Sequence, residues 1–291
     1  MTPNQRGSLY MTISMAGFAV EDSFIKAAAR GMPLGQILVF MGLAGVLWFG
    51  AQARRAGHPP VPRAALSRTM AIRSGFEVAG RLFYALALAL TPLSVASAIL
   101  QATPLVVVLG AALLFHERVG AARWLAIMAG FAGVLVILRP GFAGFDALSL
   151  LALAGMLGFA GRDLATRAAP PALSNAQLGV AGFAMLGLSG LIILGFQGPP
   201  VWPPVTDLAL MCGAAAFGIF GYACLTTAMR TGEVSAVTPF RYTRLVFAMI
   251  IAALAFGERP DLPTLAGAAI IVACGLFILL SGRRSGPRRP A

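Results

Sequence analysis

Arg73, Glu77 and Arg81 follow one another at i+4 spacing, with Tyr84 three residues further on, so all four share one stripe of a helix. Guanidinium groups beside a phenol can attract a carboxylate and stack on, or hydrogen-bond, a small amphipathic molecule. Arg81 and Tyr84 are the candidates for that contact, and Arg73 and Glu77 can neutralise each other. A second pattern, an acid followed at i+4 by a base, occurs twice, as Asp22 with Lys26 and as Asp163 with Arg167. Each pair can close on itself along its own helix, or the two can act as latches that open in turn, with Arg162 beside the second. Arg241, Tyr242 and Arg244 come just after Pro239, which removes a backbone donor and frees carbonyls around it. Arg244 can equally snorkel to an interface. Gln101, Thr103 and Pro104, together with Tyr222 and Thr226, are neutral candidates for a cavity wall, although residues of these types more often pack helices together.

Catalytic chemistry finds no comparable support. His58 and His116 stand in no metal-ligand or nucleophile–base spacing, and Cys212, Cys224 and Cys274 all lie inside apolar runs. Phosphate-loop and dinucleotide motifs are absent. No metal, no cofactor and no enzymatic activity are expected.

The elements that position these residues are membrane spans. Of the 291 residues 58% are hydrophobic and only 11% charged, whereas a soluble domain is about a quarter charged. Apolar runs of spanning length occur at 8–28, 34–52, 73–91, 94–115, 121–138, 146–166, 176–196, 206–229, 235–256 and 264–281. The expected fold is all-α and integral to the membrane, with ten transmembrane helices. Thr91-Pro92, Arg139-Pro140-Gly141, Pro170-Pro171 and Gly198-Pro199-Pro200 supply turn chemistry in short connections. The net charge of +12 does not indicate nucleic-acid binding, because the arginines fall between apolar runs instead of along one face. With a cytoplasmic N-terminus, fifteen arginines fall on the cytoplasmic side, and only Lys26, Arg30, Arg139 and Arg259 on the other. Both termini are therefore expected inside, in a bacterial inner membrane. Glu117 and Glu258 read as loop-capping residues, and Trp48, Trp124 and Trp202 as interfacial anchors.

An offset of 141 residues superimposes Phe18–Ala28 on Phe159–Ala169, and it carries Asp22 onto Asp163, Lys26 onto Arg167 and Glu117-Arg118 onto Glu258-Arg259. Glu21 and Arg162 fall on one another with opposite charge. An offset of five helices is an odd number, so the second copy enters the membrane from the other face and the repeat is inverted. The expected organisation is residues 1–140 as one five-helix repeat, 141–281 as its inverted copy, and 282–291 as a basic cytoplasmic tail that holds to anionic lipid.

Asp22-x-x-x-Lys26, the block from Thr103-Pro104 through Glu117-Arg118 to Gly130-x-x-Gly133, Arg162-Asp163-Leu164-x-x-Arg167, and Pro239-Phe240-Arg241-Tyr242 leading to Phe256-Gly257-Glu258-Arg259-Pro260 together carry a resemblance. Over nearly its whole length the chain resembles the EamA-type ten-helix carriers of the drug/metabolite transporter superfamily. That resemblance implies transport of a small metabolite, with export of amino acids, aromatic ones included, as the leading class. Uptake of riboflavin or S-adenosylmethionine is the alternative it leaves open.

The resulting expectation is a secondary carrier working by alternating access between the two halves. Coupling would run to protons through Asp22, Glu77 or Asp163, or would be absent, leaving a facilitator. The partners expected are a small-molecule substrate and the lipid bilayer, with the chain as monomer or weak homo-oligomer. An integral membrane enzyme and a non-transporting sensor are the rivals from other classes. The first lacks a cluster of carboxylates or histidines at one face, and the second predicts no substrate-dependent flux.

Overall fold

The computed structural model describes residues 1–90, 99–138, 148–256 and 261–284. Among them every regular element is a helix: α1 (Pro3–Ala28), α2 (Leu34–Arg55), α3 (Arg68–Leu90), α4 (Thr103–Leu114), α5 (Ala121–Leu138), α6 (Ser149–Arg167), α7 (Asn175–Gln197), α8 (Val205–Arg230), α9 (Val234–Val237), α10 (Thr243–Phe256) and α11 (Leu262–Arg284). Sequence signals fix several starts. At α1 the Thr2 hydroxyl accepts from the Gln5 amide at 3.2 Å while the Gln5 side chain accepts from the Thr2 amide at 3.0 Å. Ser174 and Gln177 form the same reciprocal cap at α7.

The eighth apolar run is a single helix as expected, but the fourth and ninth are broken. Ile99 and Leu100 are helical, the chain turns at 101–102, and α4 begins at Thr103 with Pro104 in its first turn. The ninth run is α9, then a 3₁₀ turn over Thr238–Tyr242 containing Pro239, then α10. Proline has no N–H and crowds the preceding turn, so each break falls where the ladder cannot continue. The boundary between the halves, the Thr91-Pro92 turn, the pair Glu258-Arg259 and residues 285–291 lie outside the described residues.

By length and composition, four described segments can cross a membrane: α2, α7, α8 and Val234–Ile251. The helices α1, α3 and α6 are long enough but carry the ionisable residues singled out above. Large apolar side chains such as Leu47, Leu113, Leu125, Leu191 and Leu254 are exposed on the outer faces, a surface suited to lipid and not to water.

Helices pair across the two halves. The principal partners are α1 with α8, α3 with α6, α2 with α7 and α5 with α11. Secondary contacts join α1 with α10, α4 with α6, α3 with α7 and α2 with α8. Exchanging the first five spans for the last five turns this set of pairs into itself. Two of the principal pairs cross at glycines in the same register. A Cβ on Gly158 would stand 2.6 Å from the Gly80 Cα, and one on Gly17 would stand 3.2 Å from the Gly221 Cα. Gly17 and Gly158, and Gly80 and Gly221, are each 141 residues apart. Helices without side chains at the crossing approach closely, which is how lipid-embedded bundles gain van der Waals contact and how charged groups near the crossing are brought together.

Candidate functional site

The α3/α6 crossing builds a buried charge cluster. Glu77, fully buried on α3, has its Oε1 3.2 Å from Arg162 Nη1 on α6 and 3.7 Å from Arg81 Nε, one turn along its own helix. Its Oε2 accepts from the Tyr222 hydroxyl of α8 at 3.4 Å and lies 3.9 Å from Arg73 Nη2. Arg73 is only 1% exposed and is held mainly by other groups. Its Nε donates to Thr166 Oγ1 at 2.9 Å, its Nη2 donates to the Tyr222 hydroxyl, and its Nη1 has no hydrogen-bond partner among the described residues. Arg162 donates from Nε to Asp163 Oδ1 at 2.9 Å, and Asp163 Oδ2 accepts from Arg241 in the 3₁₀ turn. A narrow crevice with room for about one water molecule opens between Arg73, Arg162, Asp163, Thr166, Tyr222 and Thr226.

A second ion pair lies across α1 and α10. Asp22 accepts from Arg244 Nε at 2.9 Å and from Arg244 Nη2 at 2.6 Å, a fork that satisfies both carboxylate oxygens. Arg241 and Arg244 are three residues apart at the junction of the 3₁₀ turn and α10, where side chains at that spacing fall on one side. This single segment thus holds both aspartates of the repeat, Asp163 through Arg241 and Asp22 through Arg244.

Aromatic rings complete the site. The Arg162 guanidinium lies 5.1 Å from the Phe159 ring centre, Arg81 lies 5.9 Å from it, and Arg244 lies 5.5 Å from the Phe18 ring centre. Tyr84 meets Phe159 edge-on at 6.0 Å. In a low-dielectric interior an aromatic face offsets part of the desolvation of a cation.

The helix-local pairing expected for the acid–base motifs is not what forms. Lys26 is exposed and Arg167 half-buried, and among the described residues neither makes an ion pair. Arginines from a neighbouring span reach the aspartates with two or more donors, whereas Lys26 and Arg167 lie in the last turns of α1 and α6, where a cation already interacts with the helix-end carbonyls. Arg81, Tyr84, Tyr222, Arg241, Glu77, Arg162, Asp163, Asp22 and Arg244 belong to the two charged groupings or their aromatic borders. Thr226 donates to the Tyr222 carbonyl and lines the crevice. Tyr242 lies elsewhere, buried with Val134 and Ile271 in the core cluster that joins α5 and α11. Gln101, half-buried in the turn before α4, has an Nε2 without a hydrogen-bond partner among the described residues and no hydrogen bond to the cluster.

Phe18, Phe159 and Thr166 were not picked out as site residues. The two phenylalanines are equivalent in the 141-residue register and head its matched segments, so the repeat already contained the signal. Glu117 does cap, though not through a basic neighbour: its oxygens accept from the Val234 and Ser235 amides at 2.9 and 3.0 Å, at the start of α9. His116 takes a left-handed conformation, with φ of 53°, just after α4, and turns the chain toward that contact.

The sequence profile of the EamA-like transporter family matches residues 5–139 and again residues 146–281. The chain belongs to the EamA-like transporter family. An S-adenosylmethionine uptake transporter of Rickettsia prowazekii is 25% identical over 240 residues, covering 82% of this chain and 78% of the relative. A riboflavin transporter of Rhizobium johnstonii is 30% identical over 204 residues, covering 70% and 67%. A pseudopaline exporter of Pseudomonas aeruginosa is 27% identical over 286 residues, covering 96% and 97%. A solved structure titled "Crystal structure of protein" superposes with a TM-score of 0.80 at 21% identity, covering 96% of this chain and 99% of that one, which shows the shared fold. This EamA-like chain is a membrane transporter of the drug/metabolite type.

Proposed function

We propose that the chain is a secondary carrier for a small amphipathic metabolite bearing a carboxylate, an amino acid or a relative of one, and that it works by alternating access between two inverted halves of five spans each. The observation that carries the reading is the arginine-rich cluster of α3, α6 and the 3₁₀ turn, in which Arg73, Arg81, Arg162 and Arg241 face only Glu77 and Asp163. Positive charge in excess at membrane depth calls for an anionic visitor. The glycine crossings, the exchange symmetry of helix contacts and the double profile match support the repeat. The arginine distribution supports cytoplasmic termini and a bacterial inner-membrane location.

The gates in this reading are Asp163 with Arg241 near one face and Asp22 with Arg244 toward the other. The Asp163 side chain is 2% exposed and that of Asp22 is 51% exposed, which supports a state sealed on the Asp163 side and open on the Asp22 side. Rocking of the halves would exchange those exposures. Arg241 and Arg244 sit on one rigid turn, so tightening one clamp loosens the other.

Export is the favoured direction. Uptake of a riboflavin-like or S-adenosylmethionine-like metabolite is the second reading, favoured by the names of two relatives. Counterflow in proteoliposomes against amino acids, riboflavin, S-adenosylmethionine and cationic drugs separates them. Flux confined to carboxylate-bearing compounds supports the first reading. Flux of riboflavin alone favours the second, and no flux for any compound sinks both and returns the sensor reading.

A further inference from the structure

Glu21 lies on α1, 5% exposed, and among the described residues it makes no hydrogen bond and no ion pair. A lone ionised carboxylate at this depth is costly, so it is neutralised by a proton or by a charge that comes and goes. The repeat explains why it has no fixed partner. In the 141-residue register Glu21 falls on Arg162 and Gly218 falls on Glu77. Across the α3/α6 crossing, Arg162 and Glu77 meet at 3.2 Å. Across the equivalent α1/α8 crossing, a Cβ on Gly218 would stand 2.8 Å from Glu21 Oε1, so a glycine occupies the place of the counter-ion. At that point α2 contributes the methyl of Met41. The charged groups that face Glu21 are Arg81 of α3, Arg244 of α10 and Asp22 on its own helix.

The charge of the whole site gives this carboxyl a role. Among the described residues, Arg73, Arg81, Arg162, Arg241 and Arg244 stand against Asp22, Glu77 and Asp163. A protonated Glu21 leaves that group with two positive charges in excess, and an ionised Glu21 leaves one. Arg81, whose Nε has no hydrogen-bond partner, is the cation least satisfied by the protein itself.

We propose that Glu21 carries the coupling proton: it is protonated while a substrate carboxylate lies against Arg81 and Arg244, and serves as their counter-ion once the substrate has left. The proposal rests on the carboxylate-carrier reading above. One proton passes from water to a Glu21 oxygen as one carboxylate enters, so loading with a monoanion leaves the net charge of the site unchanged, and both leave together on the other face.

Infrared difference spectroscopy of the full chain in lipid nanodiscs, with acetate as the probe, tests this without any transport measurement. The expected result is a protonated-carboxyl band that grows on acidification and, at fixed pH, on addition of acetate but not of chloride. The band is lost in Glu21→Gln and shifted in Glu21→Asp. Should Glu21→Gln fail to assemble, the shift in Glu21→Asp decides. No such band, a band unmoved by Glu21→Asp, or a band indifferent to acetate overturns the proposal. An acetate-responsive Glu21 in a protein with no counterflow for any carboxylate would sink the substrate reading alone, and carboxylate flux with a silent Glu21 would sink the proton role alone.

Discussion

Arg162 Nη1 stands 3.2 Å from Glu77 Oε1 across the crossing of α3 and α6, and this pair joins the two halves of the chain at their most buried charged point. Glu77 also draws in Arg81 and Tyr222 and lies within ion-pair range of Arg73, so a single carboxylate balances several cations. Removing one partner of such a group leaves the others charged and unpaired in a low-dielectric interior, which is far more costly than the pair itself is worth.

Glu77→Ala should therefore lower stability by about 3 kcal/mol or more. The check is the thermal midpoint of the purified protein in detergent, with Glu77→Asp expected to recover part of the loss. A variant as stable as the wild type would remove Glu77 from the centre of the cluster.

For the second clamp, Arg244→Ala should cut counterflow by about tenfold, equivalent to ~1.4 kcal/mol of lost coupling. Exchanging the charges as Asp22→Arg with Arg244→Asp should do better than either single change. Lys26→Ala should stay within about twofold of wild type, since Lys26 is exposed and makes no ion pair among the described residues. Strong loss in Lys26→Ala with little effect in Arg244→Ala would restore the helix-local pairing.

The glycine crossings predict a matched pair of effects. In Gly158→Ala the new methyl stands 2.5 Å from the Gly80 amide nitrogen, backbone that cannot step aside, and a loss of about 1–3 kcal/mol follows. Gly17→Ala should cost less, because its nearest neighbour stands 3.2 Å away. Gly75→Ala meets no atom within 4 Å and should be neutral or slightly stabilising through helix propensity. Thermal midpoints in that order support the close crossings, and equal midpoints contradict them.

Glu117→Ala removes the acceptor for the Val234 and Ser235 amides, and should cost about 1 kcal/mol while loosening the start of the ninth span. Hydrogen exchange at residues 234–237 should speed up selectively. Unchanged exchange there would mean that other acceptors or water already serve those amides.

Much of the architecture was legible because its cause is local. An apolar run of spanning length must close its own hydrogen bonds in lipid, so helix positions and the carrier-like class could be read from composition and hydropathy alone. The repeat register was legible as well, since rare residues such as Asp22 and Asp163 recur at a fixed offset. The breaks in the fourth and ninth runs follow from Pro104 and Pro239, yet their length and form depend on packing.

The charge partners were settled only by the tertiary structure. Along a helix the nearest base to Asp22 is Lys26 and the nearest to Asp163 is Arg162 or Arg167, and one-dimensional spacing cannot weigh these against arginines some 80 or 220 residues away. The glycine crossings decide the matter by setting how closely helices approach, which brings Arg162 to Glu77. Packing likewise turns Tyr242 into the α5/α11 core although its neighbours Arg241 and Arg244 face the aspartates. The sequence by itself determined which groups could carry charge into the membrane and that they come in two related sets. Which of them meet, and which one, Glu21, is left facing a glycine, was decided by helix approach in three dimensions, because an ion pair forms where carboxylate and guanidinium come within a few ångströms in a dry interior.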